Sequence, residues 1–75
     1  MGREIEIIGK YNWEYDGFSG NRLHFSNHNS GLASFEHVTI DEACKQFPRI
    51  KMPILFIDSL AERILKQGIT IFRIE

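Results

Sequence analysis

REIEIIGKYNWEYD, residues 3–16, carries the pattern that decides the fold class of this chain. Apolar and aromatic side chains occupy odd positions, whereas charged and amide side chains occupy most even ones, and this period of two is typical of a half-buried strand. The odd-numbered set consists of Ile5, Ile7, Tyr11, Trp13 and Tyr15. Ile8 is the exception, and Gly9 beside it favours a bulge or a bend. The pattern predicts either one long strand with a buried odd face or two short strands that meet at Gly9.

Two turn-like segments divide the next part of the chain. DGFSGN at 16–21 and NHNSG at 27–31 are rich in Gly, Asn, Asp and Ser, the residues that turns prefer. Between them RLHFS, at 22–26, resumes the alternation, and LASFEHVTI, at 32–40, reads as another strand. The first half of the chain is therefore predicted to be a three-stranded antiparallel meander.

The alternation also predicts which side chains of the meander point inward. Leu23 and Phe25 are expected to face the core, and Arg22, His24 and Ser26 to face outward. A hairpin symmetric about Ser30 would place Phe25 opposite Phe35, an aromatic cross-strand pair of a stabilising kind.

The second half of the chain carries helix signals. Thr39 and Glu42 form a T-x-x-E capping box, which predicts a helix over 40–47, ended by Pro48. A second helix is predicted over 59–67, where the apolar residues recur at helical spacing. Two interpretations remain open before it: the helix begins at Pro53, or PILFI (53–57) is a short strand and a second capping box opens the helix at Ser59.

ITIFRIE, at 69–75, is rich in β-branched residues and apolar on both faces except at Thr70 and Arg73. Such a strand is typical of the centre of a sheet or of an interface. The element order is thus βββ-α-α-β or βββ-α-β-α-β. We predict an α+β fold in which a three-stranded antiparallel meander is followed by two helices and a C-terminal strand.

Length and composition set further limits. Seventy-five residues allow one domain, residues 1–75, whose stability we expect to be on the order of 5 kcal/mol. A marginal core with 43% hydrophobic residues is compatible with a homo-oligomer. The net charge of −1 disfavours a protein that binds duplex DNA through phosphate contacts, because such proteins usually carry an excess of basic residues. One cysteine, no signal-peptide pattern and no long apolar run predict a cytoplasmic protein without a membrane segment.

No residue set predicts catalysis, a metal site or a cofactor. His24, His28, His37 and Cys44 lack the paired spacing of a zinc site, and Cys44 reads as a core residue on a helix. The glycines at 16–21 are not followed by the Lys-Ser or Lys-Thr of a phosphate-binding loop. We therefore expect a protein that is not an enzyme and has no cofactor.

The row of aromatic rings is a candidate binding feature. Tyr11, Trp13 and Tyr15, with Lys10 and Arg22 nearby, could stack on bases and contact phosphates, as small β-rich domains do. The competing interpretation, which we favour, is that the rings continue the core face, because so short a chain needs them there.

The leading functional prediction is a small non-enzymatic module that binds a protein partner as a regulator, inhibitor or accessory subunit. It depends mainly on the classes excluded above. The positive indication is surplus apolar surface in PILFI and ITIFRI. The alternative prediction is a single-stranded nucleic-acid-binding protein that uses the aromatic strand face.

Overall fold

Two antiparallel sheets and two helices make up the part of the chain that the structure, a computed structural model, describes: residues 2–28, 34–47 and 56–74. The elements are β1 (Arg3–Ile7), β2 (Glu14–Ser19), β3 (Arg22–Asn27), β4 (Ser34–Thr39), α1 (Ile40–Gln46), α2 (Ile57–Lys66) and β5 (Thr70–Ile74). One sheet has the order β2-β3-β4, and β1 pairs with β5 in the other. This confirms the predicted α+β fold, with a three-stranded antiparallel sheet, two helices and a final strand.

Residues 3–16 contribute to two strands that lie in different sheets. The prediction of one long strand is therefore wrong, and the alternative prediction of two strands with a break at Gly9 is confirmed. Gly9 has a φ of +132°, a backbone angle that residues with a Cβ atom rarely adopt. Its carbonyl accepts hydrogen bonds from the backbone N–H groups of Asn12 (3.0 Å) and Trp13 (2.9 Å). These bonds close a tight turn that leads the chain from β1 into β2.

The β2–β3 hairpin corrects the long loop predicted at 16–21. Residues up to Ser19 pair with β3, and only Gly20 and Asn21 form the turn. Gly20 has a φ of +61°, as the two-residue turns of tight hairpins require. The pairing shifts between Tyr15 and Gly17, so a β-bulge at Asp16 accommodates residues that read as loop in the sequence.

The β3–β4 register differs by one residue from the symmetric hairpin. Phe25 pairs with Glu36, and Phe35 pairs with Ser26, so the predicted Phe25–Phe35 pair is wrong. Because side chains alternate between faces, this slip places Phe35 on the outer face, where it is 71% exposed, while Phe25 is fully buried. Leu23 is buried as predicted.

Ser26 lies on the outer face, as the alternation predicts, yet it is buried rather than exposed. Its hydroxyl donates a hydrogen bond to Asp16 Oδ1 at 3.1 Å, which satisfies the buried Oγ. The outward side chain of His24 is likewise half-buried. The middle of the outer face is therefore more enclosed than the sequence indicates.

The cap of α1 is confirmed, since Thr39 Oγ1 accepts a hydrogen bond from the Glu42 N–H at 3.2 Å. The prediction that Ser59 caps the second helix is wrong, because α2 begins at Ile57 and Ser59 therefore lies inside the helix. Ile57 is therefore helical rather than part of a strand, whereas residues 53–55 of both interpretations lie outside the described residues.

The core lies between the inner faces of the two sheets and α2. The buried residues of α2 are Ile57, Leu60, Ala61, Ile64 and Leu65. They belong to the apolar stripe predicted for a helix that begins at Pro53, and the remaining member of that stripe, Ile54, lies outside the described residues. Among the described strands, β5 pairs only with β1, so it is not the central strand that its apolar sequence favoured. The amide of Gln46 at the end of α1 covers part of the other edge of β5 by donating to the Ile71 carbonyl at 2.8 Å.

Candidate functional site

The three aromatic rings predicted to share a face lie in three different environments. Tyr11 is fully exposed (104%), Trp13 is 6% exposed within the core, and Tyr15 is half-buried with its ring 5.7 Å from that of Phe25. The turn after Gly9 rotates Tyr11 out of the strand alternation. The core interpretation thus fits Trp13 and much of Tyr15, and it is wrong for Tyr11.

The two predicted basic residues lie at different cavities. Lys10 follows Gly9 in the turn and lines the same cavities as the aromatic residues. Arg22 begins β3, where its Nη1 lies 3.3 Å from His37 Nε2, and it lines a cavity with Thr39 and Arg73. The structure brings Lys10 together with Trp13 and Tyr15, and it does not bring Arg22 to them.

A first cavity, the Trp13 groove, lies between the start of β2 and the second half of α2. It has a volume of about 430 Å³, and its lining residues are Lys10, Trp13, Glu14, Tyr15, Glu62, Leu65 and Lys66. The lining contains two lysines and two glutamates, so its net charge is zero.

The aromatic residues of the Trp13 groove carry buried polar atoms without regular hydrogen bonds. Trp13 Nε1 and Tyr15 Oη have no partner among the described residues. Burial raises the pKa of the Tyr15 hydroxyl above its ordinary value, and the carboxylate of Asp58 adds to the rise.

A second cavity, the Gly9 groove, lies on the other side of Lys10 and Lys66. It has a volume of about 370 Å³ and is lined by Ile8, Gly9, Lys10, Tyr11, Asn12, Leu65, Lys66 and Gly68. A Cβ on Gly9 would lie 3.2 Å from the Leu65 carbonyl oxygen, so bare backbone is required at this point. All charged side chains in the lining are lysines, in contrast to the Trp13 groove.

An exposed apolar surface lies beside the Gly9 groove. Glu6 and Ile71 pair on the outer face of the β1–β5 sheet, and Ile8 and Ile69 directly adjoin the last pair of the ladder, Ile7 and Thr70. Ile8, Tyr11, Ile69 and Ile71 are all exposed, and we call this set the β1–β5 apolar face. Ile8, the residue that broke the alternation in residues 3–16, was the signal for it in the sequence.

The histidines and the cysteine do not gather into a site in the described part of the chain. The rings of His24 and His37 lie 6.2 Å apart across β3 and β4, but no group of three His, Cys, Asp or Glu side chains there could hold a metal ion. Cys44 packs partly buried against the core from α1, as its helical position indicates.

Across residues 2–28, 34–47 and 56–74, neither helix has the length and apolar character needed to cross a bilayer. No protein-family model, curated protein or solved structure matches the chain.

Proposed function

We propose that this protein is a small non-enzymatic module that binds another protein through the β1–β5 apolar face, as a regulator, inhibitor or accessory subunit. The observation that carries the proposal is the exposure of four large apolar side chains at one end of a two-stranded sheet. Clusters of this kind on a soluble domain are typical of interaction surfaces.

The anatomy of the face supports the proposal. At its far end Glu4 and Arg73 form an ion pair at 3.4 Å, and Glu6 and Lys10 add further charge around the isoleucines. An apolar centre within a polar rim is the common arrangement of protein interfaces. Tyr11, the most exposed residue of the set, belongs to a residue type enriched at binding hot spots.

Single-stranded nucleic-acid binding, the alternative, loses most of its stacking surface. With Trp13 in the core and Tyr15 half-buried, Tyr11 is the one ring of the three that stands free for a base. Arg22, which was to contact phosphates, lines a different cavity. The protein-binding proposal uses surface that is exposed as it stands.

Photo-crosslinking in the native cell tests the proposal. A photoreactive phenylalanine analogue in place of Tyr11 should form a discrete adduct with a protein, and excess unlabelled wild type should suppress that adduct. Excess Ile69→Lys protein should suppress it poorly, because a charge replaces an apolar contact on the face. The matched competitor is Phe35→Lys, which places the same charge on an exposed apolar residue of the other sheet.

The same analogue in place of Phe35 measures the background. If position 11 yields no more protein adducts than position 35, or if Ile69→Lys competes as well as wild type, the apolar face is not a protein-binding surface. An adduct with RNA in place of protein would support the nucleic-acid alternative.

A further inference from the structure

The Gly9 groove differs in charge from the chain that contains it. The whole protein has a net charge of −1, yet the groove is lined by two lysines and no carboxylate. Neither Lys10 nor Lys66 forms an ion pair with the described residues. Glu14 and Glu62 lie with the same lysines around the Trp13 groove but form no ion pair with them. On the side of the Gly9 groove, where the lining has no carboxylate, the two cations favour a ligand that carries negative charge.

The size and lining of the groove favour an apolar side chain as the ligand. Ile8 and Tyr11 supply apolar walls, whereas the missing Cβ of Gly9 makes room for the Leu65 carbonyl of the chain itself. A volume of about 370 Å³ lies at the small end of the roughly 300–1,000 Å³ range of ligand pockets. It suits one bulky apolar side chain with its adjoining backbone.

The area of the adjoining face also argues for a short segment rather than a folded partner or a second copy. The paired segment from Arg3 to Ile7, extended by Ile8, spans six residues along the sheet. At about 3.3 Å per residue and roughly 10 Å across two strands, it offers on the order of 200 Å². A stable complex takes about 800 Å² from each partner.

We propose that the Gly9 groove binds a short linear peptide segment of the partner in which a bulky apolar side chain is flanked by Asp or Glu. The apolar side chain enters the cavity between Ile8 and Tyr11, and the carboxylate pairs with Lys10 and Lys66. This inference deepens the proposed function and depends on it, because it specifies the chemistry that the β1–β5 apolar face recognises.

Selection from a display library of random short linear peptides tests the proposal. Peptides enriched by the wild type should carry an acidic residue next to a large apolar one, and their affinity should fall as salt is raised. The best peptide is then resynthesised with Asn or Gln in place of its acidic residues and measured by fluorescence anisotropy. We expect this uncharged peptide to bind more weakly.

Two matched variants on α2 test the role of charge in the groove. Lys66→Glu reverses a charge in the lining, and Arg63→Glu makes the same change on the same exposed helix turn without lining either groove. Reversal removes one exposed ion pair and adds a repulsion, so Lys66→Glu should weaken binding about 2- to 30-fold. Arg63→Glu should change it less than 2-fold.

The outcomes separate this inference from the function it depends on. If no peptide is enriched, or if the enriched peptides lack acidic residues, the inference is wrong. It is also wrong if Lys66→Glu and Arg63→Glu have equal effects. The proposed function survives these results if crosslinking from position 11 still yields a protein adduct that Ile69→Lys fails to suppress.

Discussion

Thr70→Val should make the protein more stable, because it removes a buried hydroxyl that has no hydrogen-bond partner in the described part of the chain. Thr70 opens β5 opposite the fully buried Ile7, and its own side chain is buried. Leaving such a group unsatisfied costs about 1–3 kcal/mol. Valine keeps the shape and the β-branching of threonine but has nothing to desolvate.

We expect the free energy of unfolding to rise by about 1–2 kcal/mol. For a domain of this size each kcal/mol shifts Tm by about 4–8 °C, so Tm should increase by roughly 5–15 °C. Chemical denaturation followed by Trp13 fluorescence and thermal melts followed by circular dichroism both measure the change. Trp13 is the single tryptophan and lies in the core, so its emission reports unfolding.

Thr39→Val is the matched control, since there the same substitution removes a hydroxyl that accepts a hydrogen bond from the Glu42 N–H. This variant should lose about 0.5–2 kcal/mol of stability. A Thr70→Val protein that is less stable than wild type, or unchanged within about 0.5 kcal/mol, would show that the Thr70 hydroxyl is satisfied and would refute the reasoning.

Two further predictions concern the aromatic residues. The fold raises the pKa of Tyr15 above the ordinary tyrosine value of about 10. The contribution of the neutral Tyr15 hydroxyl to the free energy of unfolding should therefore be complete below about pH 10, and it should be lost as the pH rises toward the pKa of Tyr15 in the folded protein. In a Tyr11→Phe variant Tyr15 is the only tyrosine, and near-ultraviolet phenolate absorbance should appear together with the loss of circular dichroism; ionisation near pH 10 with the fold intact would contradict this. The β3–β4 register predicts that Phe25→Ala costs about 3–5 kcal/mol in urea denaturation, whereas Phe35→Ala costs less than about 0.5 kcal/mol. Similar losses for the two variants would indicate the symmetric register with both rings inside.

The functional residues could be found from the sequence only in part. Lys10 and Tyr11 were among the candidates, but they were grouped with Trp13 by the alternation, which the turn at Gly9 interrupts. Ile69 lies in ITIFRI, whose apolar surface supported the interface prediction, but neither Ile69 nor Lys66 was grouped with Lys10 and Tyr11. Nothing local shows that the end of α2 and the start of β5 lie beside Lys10. The structure brings them together, as the Lys10 N–H donates to the Leu65 carbonyl at 3.1 Å.

The sequence by itself determined the features that depend on neighbouring residues. Hydrogen bonds between a cap and the next turn, and apolar spacing along one element, act over a few positions. For this reason the Thr39 cap of α1, the buried stripe of α2 and the inward side chains Leu23 and Phe25 were predicted correctly.

Only the tertiary structure decided which strands pair and in what register. The partner of β1 is β5, at the opposite end of the chain, and a shift of one residue between β3 and β4 moved Phe35 from the core to the surface. Alternation divides the side chains of a strand into two faces, but it does not show which element packs against each face. That depends on how the whole core packs. The exposed Tyr11 beside the buried Trp13 is the result of that packing.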